Sequence, residues 1–431
     1  MKLQAIRGRS SVFLVFFLLL AGPLSGCMFR TLKEQQAQLD QLCLISGTIA
    51  GSTAQDDPRV VVLVGMIGNS PRLIDHFVSE GDGTWLMAAQ PGLYQLAAFE
   101  DRSRDLIYQP GEPLLNREAT QQVQCAAGGR VADIALRIPS AGSQAYGHDV
   151  DITQLVARSN DQQFEVSIAS VTAAGAMATL DDDRFSDERV KSGMWAPFDF
   201  LVNAGPGIYF LEPYDAKRIP VLFVHGISGS PRNFRYLIEH LDRTRFQPWV
   251  YYYPSGARLP RVADHLTQTL LQLEVRYRVP KVLVVAHSMG GLVSRGFLLR
   301  HQKSSAAASP LFITLSTPWG GHSAAQKGVD YAPTVVRSWY DMAPSSDYLR
   351  TLFDDGTPVQ VQGTEHHLLF SFKKDGSSSE SDDGVVTVAS QLRPEAQSQA
   401  HSLYGFNDTH TGILEDPAVS ALLNKLLAEA R

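Results

Sequence analysis

The 431-residue chain predicts an α/β fold, and three observations lead there. First, short apolar runs alternate with stretches of helical period: strand-like 221–225, 249–253, 281–286 and 311–316 are interleaved with helix-like 233–241 and 261–277. That alternation is the pattern of strands joined by crossover helices. Second, two of the apolar runs stop abruptly in glycine-bearing turns, His225-Gly226 and Ala286-His-Ser-Met-Gly-Gly291. Third, 44% apolar and 19% charged residues are the proportions of a globular chain, and 431 residues leave room for a large core and more than one domain.

Lys2, Arg7 and Arg9 precede the nine-residue apolar run Val12–Leu20, followed by Leu24-Ser25-Gly26-Cys27. A basic start, a short apolar run and small residues make residues 1–26 a signal peptide, too short to span a bilayer as a helix. Its ending resembles the bacterial lipobox, in which the cysteine is diacylated and becomes the first residue of the mature protein. The alternative is an ordinary cleavage near Gly26 that leaves Cys27 by chance. Met28 rather than Asp after the cysteine resembles outer-membrane sorting. The expected location is therefore the bacterial cell envelope, lipid-anchored, on the outer membrane facing the periplasm or surface. With Cys27 acylated, Cys43 and Cys125 remain as an even pair in an oxidising compartment, and a disulfide between them is expected.

Residues 27–41 read as a polar, Gln-rich tether or short helix. From 42 to 140 the chain reads as β only, with strand-like pieces Cys43–Ile49, Val60–Val64, Thr84–Ala88, Tyr94–Phe99 and Ala132–Ile138. The sequence GTIAG … DGTWLMAAQPGLYQLAAFED resembles the small Ig-like β-sandwiches of carboxypeptidase-regulatory type, which implies a spacing or bracing module. The remainder, 141–431, is the α/β domain. Phe164–Ser170 and Ile208–Glu212 are the candidates for its first two strands, and Asp181–Asp183 reads as a solvated turn.

The segment 286–291 carries the chemistry. After the strand-like run Lys281–Val285, a sharp turn would present Ser288 at its apex, with small residues required two positions to either side. Ala286 and Gly290 supply them, although glycine is the commoner residue at the first position. The N–H of Met289 would then point where an oxyanion develops. About 60 residues earlier, Ile219–Val224 runs into His225-Gly226-Ile-Ser-Gly, where the N–H of Ile227 is the candidate second donor.

VLFVHGISGSPRNF together with VVAHSMGGLVSR resembles the α/β-hydrolase superfamily, in particular bacterial lipases and esterases and the related GPI inositol-deacylases and palmitoyl-thioesterases. The resemblance covers about residues 150–431. It implies a mostly parallel eight-stranded sheet with helices on both faces, and a triad in the chain order Ser, acid, His. In Ser381-Asp-Asp-Gly-Val-Val386 it picks Asp383 as the acid, with Asp382 the alternative. His410, ahead of the helix-like 417–430, is the base, with His401 the competitor. His366 and His367 precede the acid and fall in the wrong order. The insertion at about 320–355 matches the place of a lipase cap, where Trp319, Tyr331, Trp339, Tyr340 and Met342 are candidates to line an acyl pocket.

The expected activity is hydrolysis of carboxylic esters through an acyl-enzyme on Ser288, with lipid or long-acyl substrates favoured. The alternatives are acyl transfer by the same triad, or a catalytically silent hydrolase fold that binds within the envelope. No cofactor or metal is expected: Asp382 and Asp408 near the acid and the base are too few to assign a calcium. The formal charge of −6 becomes −9 once the three basic residues of 1–26 are removed, which leaves no nucleic-acid footprint.

Overall fold

The computed structural model describes residues 23–51, 57–67, 70–79, 83–115, 122–139, 150–151, 158–160, 163–165, 171–305, 307–354, 359–373 and 381–430; most of the expected leader lies outside them. It begins with a helix, α1 (Pro23–Asp40), the second of the two alternatives, tether or short helix, that the sequence leaves for this segment. Leu32 and Gln35 are buried on one face of α1, so the segment is docked rather than free.

Among the described residues two sheets follow, built of β1 (Cys43–Ala50), β2 (Arg59–Ile67), β3 (Ser70–Ser79), β4 (Thr84–Ala89), β5 (Gly92–Glu100), β6 (Gln122–Cys125) and β7 (Arg130–Arg137), while Ile107–Tyr108 pairs separately with Val150–Asp151. They form a three-stranded sheet in the order β4-β1-β7 and a four-stranded sheet in the order β3-β2-β5-β6. Alternate residues of both sheets, among them Ile45, Trp85 and Ile134 on one side and Val61, Leu63 and Leu96 on the other, fill one core. Cys43 and Cys125 lie in that core and are disulfide-bonded, with their Cα atoms 5.6 Å apart. Strands β3 and β6 are additions to the expected set. Their sequences, SPRLIDHFVS and QVQC, carry proline or too few residues to stand out as strands.

The large sheet has eight strands: β8 (Ala173–Met177), β9 (Gly207–Phe210), β10 (Ile219–Val224), β11 (Phe246–Tyr252), β12 (Leu283–His287), β13 (Leu311–Leu315), β14 (Glu365–Phe372) and β15 (Ser402–Asn407). Their order is β8-β9-β11-β10-β12-β13-β14-β15. From β11 through β15 every pairing is parallel; β9 runs antiparallel to β11, and β8 is parallel to β9. The first strand is thus Ala173–Met177 and not 164–170. Residues 163–165 pair instead with 158–160, and 166–170 lie outside the described residues.

Twelve helices among the described residues include α2 (Asp187–Trp195), α3 (Pro197–Asn203), α4 (Arg235–Glu239), α5 (Leu259–Tyr277) and α6 (Met289–Ser304). The insertion after β13 is helical, with α7 (Ser323–Tyr331), α8 (Arg337–Met342) and α9 (Asp347–Thr351). Short α10 (Val388–Gln391) and α11 (Pro394–Gln399) precede β15, and α12 (Pro417–Glu429) ends the chain. The strands are buried on both faces, which is why they read as continuous apolar runs. Val284 and Ala286 of β12 pack with α5, α6 and the insertion, while Leu283 and Val285 pack with α4 and α12.

The N-terminal sheets rest on the far end of α5: Val275 joins Val60, Val62, Val78 and Phe99 in a buried cluster, and Arg278 donates to the Ser103 carbonyl at 3.4 Å. The near end of α5 holds the insertion. Arg258 and the Leu259 N–H bind the buried Asp341 carboxylate at 2.8 and 2.7 Å.

Candidate active site

Strand β12 lies between β10 and β13, so its end opens at the carboxyl edge of the sheet, where parallel α/β sheets carry their ligands. The chain turns onto α6 at Ser288, whose φ of 54° and ψ of −130° lie where side-chain-bearing residues are strained. The surroundings hold it there. The Ser288 N–H donates to the Leu315 carbonyl at 2.8 Å, and a side chain on Gly290 would run into the carbonyl oxygens of Val224 and His225. The pattern of small residues around Ser288 is therefore a packing requirement of the turn.

His410 Nε2 lies 2.8 Å from Ser288 Oγ, and its Nδ1 lies 2.8 Å from Asp383 Oδ2. A carboxylate only accepts, so Nδ1 carries the proton and Nε2 offers its lone pair to the serine hydroxyl. Asp383 is almost wholly buried, which by itself would push its carboxyl pKa up. Hydrogen bonds outweigh that and hold it below the ordinary value. Oδ2 accepts from His410, from Ser371 Oγ at 2.7 Å and from Gln391 Nε2 at 3.1 Å. Oδ1 accepts from the N–H groups of Val385 and Val386 at 2.9 and 2.7 Å. Five donors on one carboxylate keep it ionised.

The backbone donors complete the arrangement. Met289 opens α6, so its N–H has no partner within the helix, and the positive end of the helix dipole lies at Ser288. Val224 pairs with Ala286, which carries the loop after β10 alongside the nucleophile. A Cβ on Gly226 would come within 2.8 Å of Ser288 Cβ. Among the described residues neither the Ile227 nor the Met289 N–H has an acceptor.

The site thus sits on a mostly parallel eight-stranded sheet flanked by helices. Residues 215–349 match the family model described as "Putative serine esterase (DUF676)", a stretch that holds the Ser288 turn and the insertion but ends before Asp383 and His410. No curated protein sequence matches the chain. Among solved structures, Bacillus licheniformis lipase BlEst2 in its mature form is 17% identical with a TM-score of 0.41, over 51% of this chain and 97% of that one. Phospholipase PlaB from Legionella pneumophila is 17% identical with a TM-score of 0.34, over 40% and 45% of the two chains. A lipase-esterase related protein from Clostridium acetobutylicum is 11% identical with a TM-score of 0.34, over 51% and 99%.

Several residues outside the expected set brace the Ser288–His410–Asp383 arrangement. His287 is buried with its pKa pushed down to about 3, chiefly by loss of water and then by neighbouring His410. Neutral and fixed, its Nε2–H donates to the His410 carbonyl at 2.8 Å and sets the base's backbone. Gln391, fully buried, accepts the Ser371 N–H at 2.9 Å while donating to Asp383. His225 stacks on Tyr253 at 4.2 Å between ring centres; its Nδ1 bonds the Gly226 carbonyl at 2.8 Å, and its own carbonyl accepts the Tyr253 hydroxyl at 2.6 Å. Those contacts fix the peptide ahead of Ile227. His322 caps α7 and donates from Nε2 to the Val385 carbonyl at 2.8 Å, tying the insertion to the acid loop.

The competing candidates lie elsewhere. Asp382 Oδ1 accepts the Gly384 N–H at 2.8 Å, and His401 packs against His367 with ring centres 5.3 Å apart. His366 is buried beside Phe312 and bonds Thr314. Of the five aromatic and Met candidates for an acyl pocket, Trp319 and Met342 belong to the main core, and Tyr331 and Tyr340 are exposed. Trp339, like Ile227, packs against both that core and the cluster of Leu32, Met194 and Val336.

Proposed function

We propose that this protein is a serine hydrolase of carboxylic esters acting through an acyl-enzyme on Ser288. The observation that carries the reading is the pair of 2.8 Å hydrogen bonds running from Asp383 through His410 to Ser288. Ser288 Oγ attacks the ester carbonyl carbon while its proton passes to His410 Nε2. The carbonyl electrons move onto oxygen, which the Ile227 and Met289 N–H groups receive. Collapse of the tetrahedral species breaks the bond to the alcohol, which leaves with the proton from His410. Water then repeats the sequence against the acyl-serine, and Ser288 regains its proton. Asp383, held ionised, keeps the imidazole in the reactive tautomer throughout. Acyl transfer differs only in that a hydroxyl or amine replaces that water.

Lipid or long-acyl esters are the favoured substrates, because the oxyanion loop meets the apolar side chains of Met194, Val336 and Trp339. Cys27, exposed near the start of α1, is the site of lipidation, which would place the enzyme on the outer membrane of a bacterial envelope. The N-terminal β module, of Ig-like type, braces α5. A panel of p-nitrophenyl esters from acetate to palmitate, with phospholipids alongside, tests the activity. Turnover that rises with acyl length and vanishes in Ser288→Ala is expected. No turnover on any ester would leave the fold as a binding scaffold. For the anchor, radioactive palmitate should label the wild type but not Cys27→Ser; an unlabelled wild type refutes it.

A further inference from the structure

Helix α1 carries Cys27 and lies across the catalytic domain beside the oxyanion loop. Met28, Phe29, Leu32, Gln35, Gln36 and Leu39 recur at helical spacing, and they are the residues wholly or partly buried between 28 and 39. Leu32 is fully buried in one cluster with Met194, Val336, Trp339 and Ile227. Gly226, which precedes Ile227, lies against Ser288, so one short loop touches both the Leu32 cluster and the nucleophile. Phe29 meets Trp195 edge-on at 5.5 Å, and Trp195 meets Trp339 of the insertion at 6.2 Å. Ser288 and His410 are only 5% and 7% exposed.

The contact is built to be reversible. Among the described side chains of α1, Leu32 is the one apolar residue that is fully buried. Besides the edge contact of half-buried Phe29 with Trp195, the other ties are polar and lie at the rim. Gln35 Oε1 accepts the Asp199 N–H at 2.8 Å, Gln36 Nε2 donates to the Val335 carbonyl at 2.9 Å, and Arg337 pairs with Asp40 at 2.6 Å. Water or lipid headgroups can replace each of these. The same face presents Met28, Phe29, Leu32 and Leu39, an apolar stripe next to the residue expected to carry acyl chains.

We propose that α1 is a strap that holds the Ser288 site shut in water and is drawn off by a lipid surface, which takes up its apolar stripe in place of the catalytic domain. The proposal rests on the reading of Ser288 as the nucleophile. A strap so placed makes opening depend on the bilayer to which the chain is anchored, and shifts the population only as far as lipid and protein differ in their hold on the stripe.

The test uses the full chain, with fluorophosphonate labelling of Ser288 as the readout, in lipid-free buffer and with dioleoyl-phosphatidylcholine vesicles. Vesicles should accelerate labelling of the wild type. Leu32→Glu should label on the order of tenfold faster without lipid and gain little from vesicles. Gln36→Ala/Asp40→Ala, which leaves Ile227 untouched, should move the same way by less. Rates equal to wild type in both variants, or slower labelling at an unchanged Tm, would make α1 a brace or a fixed wall and overturn the proposal. Hydrogen exchange of residues 28–40 in Ser288→Ala gives a readout independent of chemistry. Exchange that quickens with vesicles supports the strap, and unchanged protection overturns it. Absence of labelling in the wild type under every condition would refute the esterase reading, and the exchange result would still decide the strap.

Discussion

Replacing Asp383 with Asn should disable the site through a single proton. The Val385 and Val386 N–H groups need an acceptor, so the Asn oxygen takes the place of Oδ1 and its NH2 group takes the place of Oδ2. That NH2 then faces Gln391 Nε2, also a donor, and His410 Nδ1. Imidazole must offer Nδ1 as the acceptor and carry its proton on Nε2, where it can no longer take the proton of Ser288. In other Ser–His–Asp enzymes the same exchange lowers kcat by about 10⁴, equivalent to about 5.4 kcal/mol at 1.36 kcal/mol per decade. The assay is steady-state cleavage of p-nitrophenyl butyrate, with Asp382→Asn as the control. Asp382 touches none of the triad side chains and should retain activity within a few-fold. A large loss in Asp382→Asn with Asp383→Asn nearly intact would refute the assignment of the acid and the tautomer argument with it.

Gly226→Ala sets a methyl within 2.8 Å of Ser288 Cβ and displaces the Ile227 donor; kcat should fall about 100-fold, while a loss below threefold would contradict the close approach. Stability should fall as the pH drops below 6.5. Burial holds His225 near pKa 4 and His287 and His366 near 3, so each is neutral when folded and takes up a proton on unfolding below its ordinary value of 6.5. The unfolded state binds more protons in that window, and the three together cost up to about 4 kcal/mol per pH unit. Asp383, with its lowered pKa, adds a loss only below the ordinary carboxylate range. The Tm should therefore drop markedly between pH 7 and 5; a flat profile would mean these rings are charged or solvated in the native protein.

Of the three side chains that meet at 2.8 Å, Ser288 was legible from its strand and small neighbours, while Asp383 and His410 followed only from the resemblance, which implies an Asp-Gly before an apolar run and a histidine ahead of the last helix. The four strands from β10 to β13 were legible because burial on both faces makes them continuous apolar runs. Strand β8 was not. Its sequence Ala-Ala-Gly-Ala-Met has no β-branched or aromatic residue, and its place at the sheet edge is set by Gly207 and α5. The donors around Asp383 come from residues 371, 385, 386 and 391, a set with no period to reveal it. Helix α1 read as a tether or a short helix, and its docking was not legible, because its partners lie some 160 to 300 residues away.

The most direct measurement of the central claim is peptide mass spectrometry of the full chain after reaction with a fluorophosphonate. One adduct, on Ser288, is expected in the wild type, with none on the protein in Ser288→Ala and a rate lowered by orders of magnitude in His410→Ala. An adduct on another serine, or equal labelling of the wild type and His410→Ala, would contradict the account.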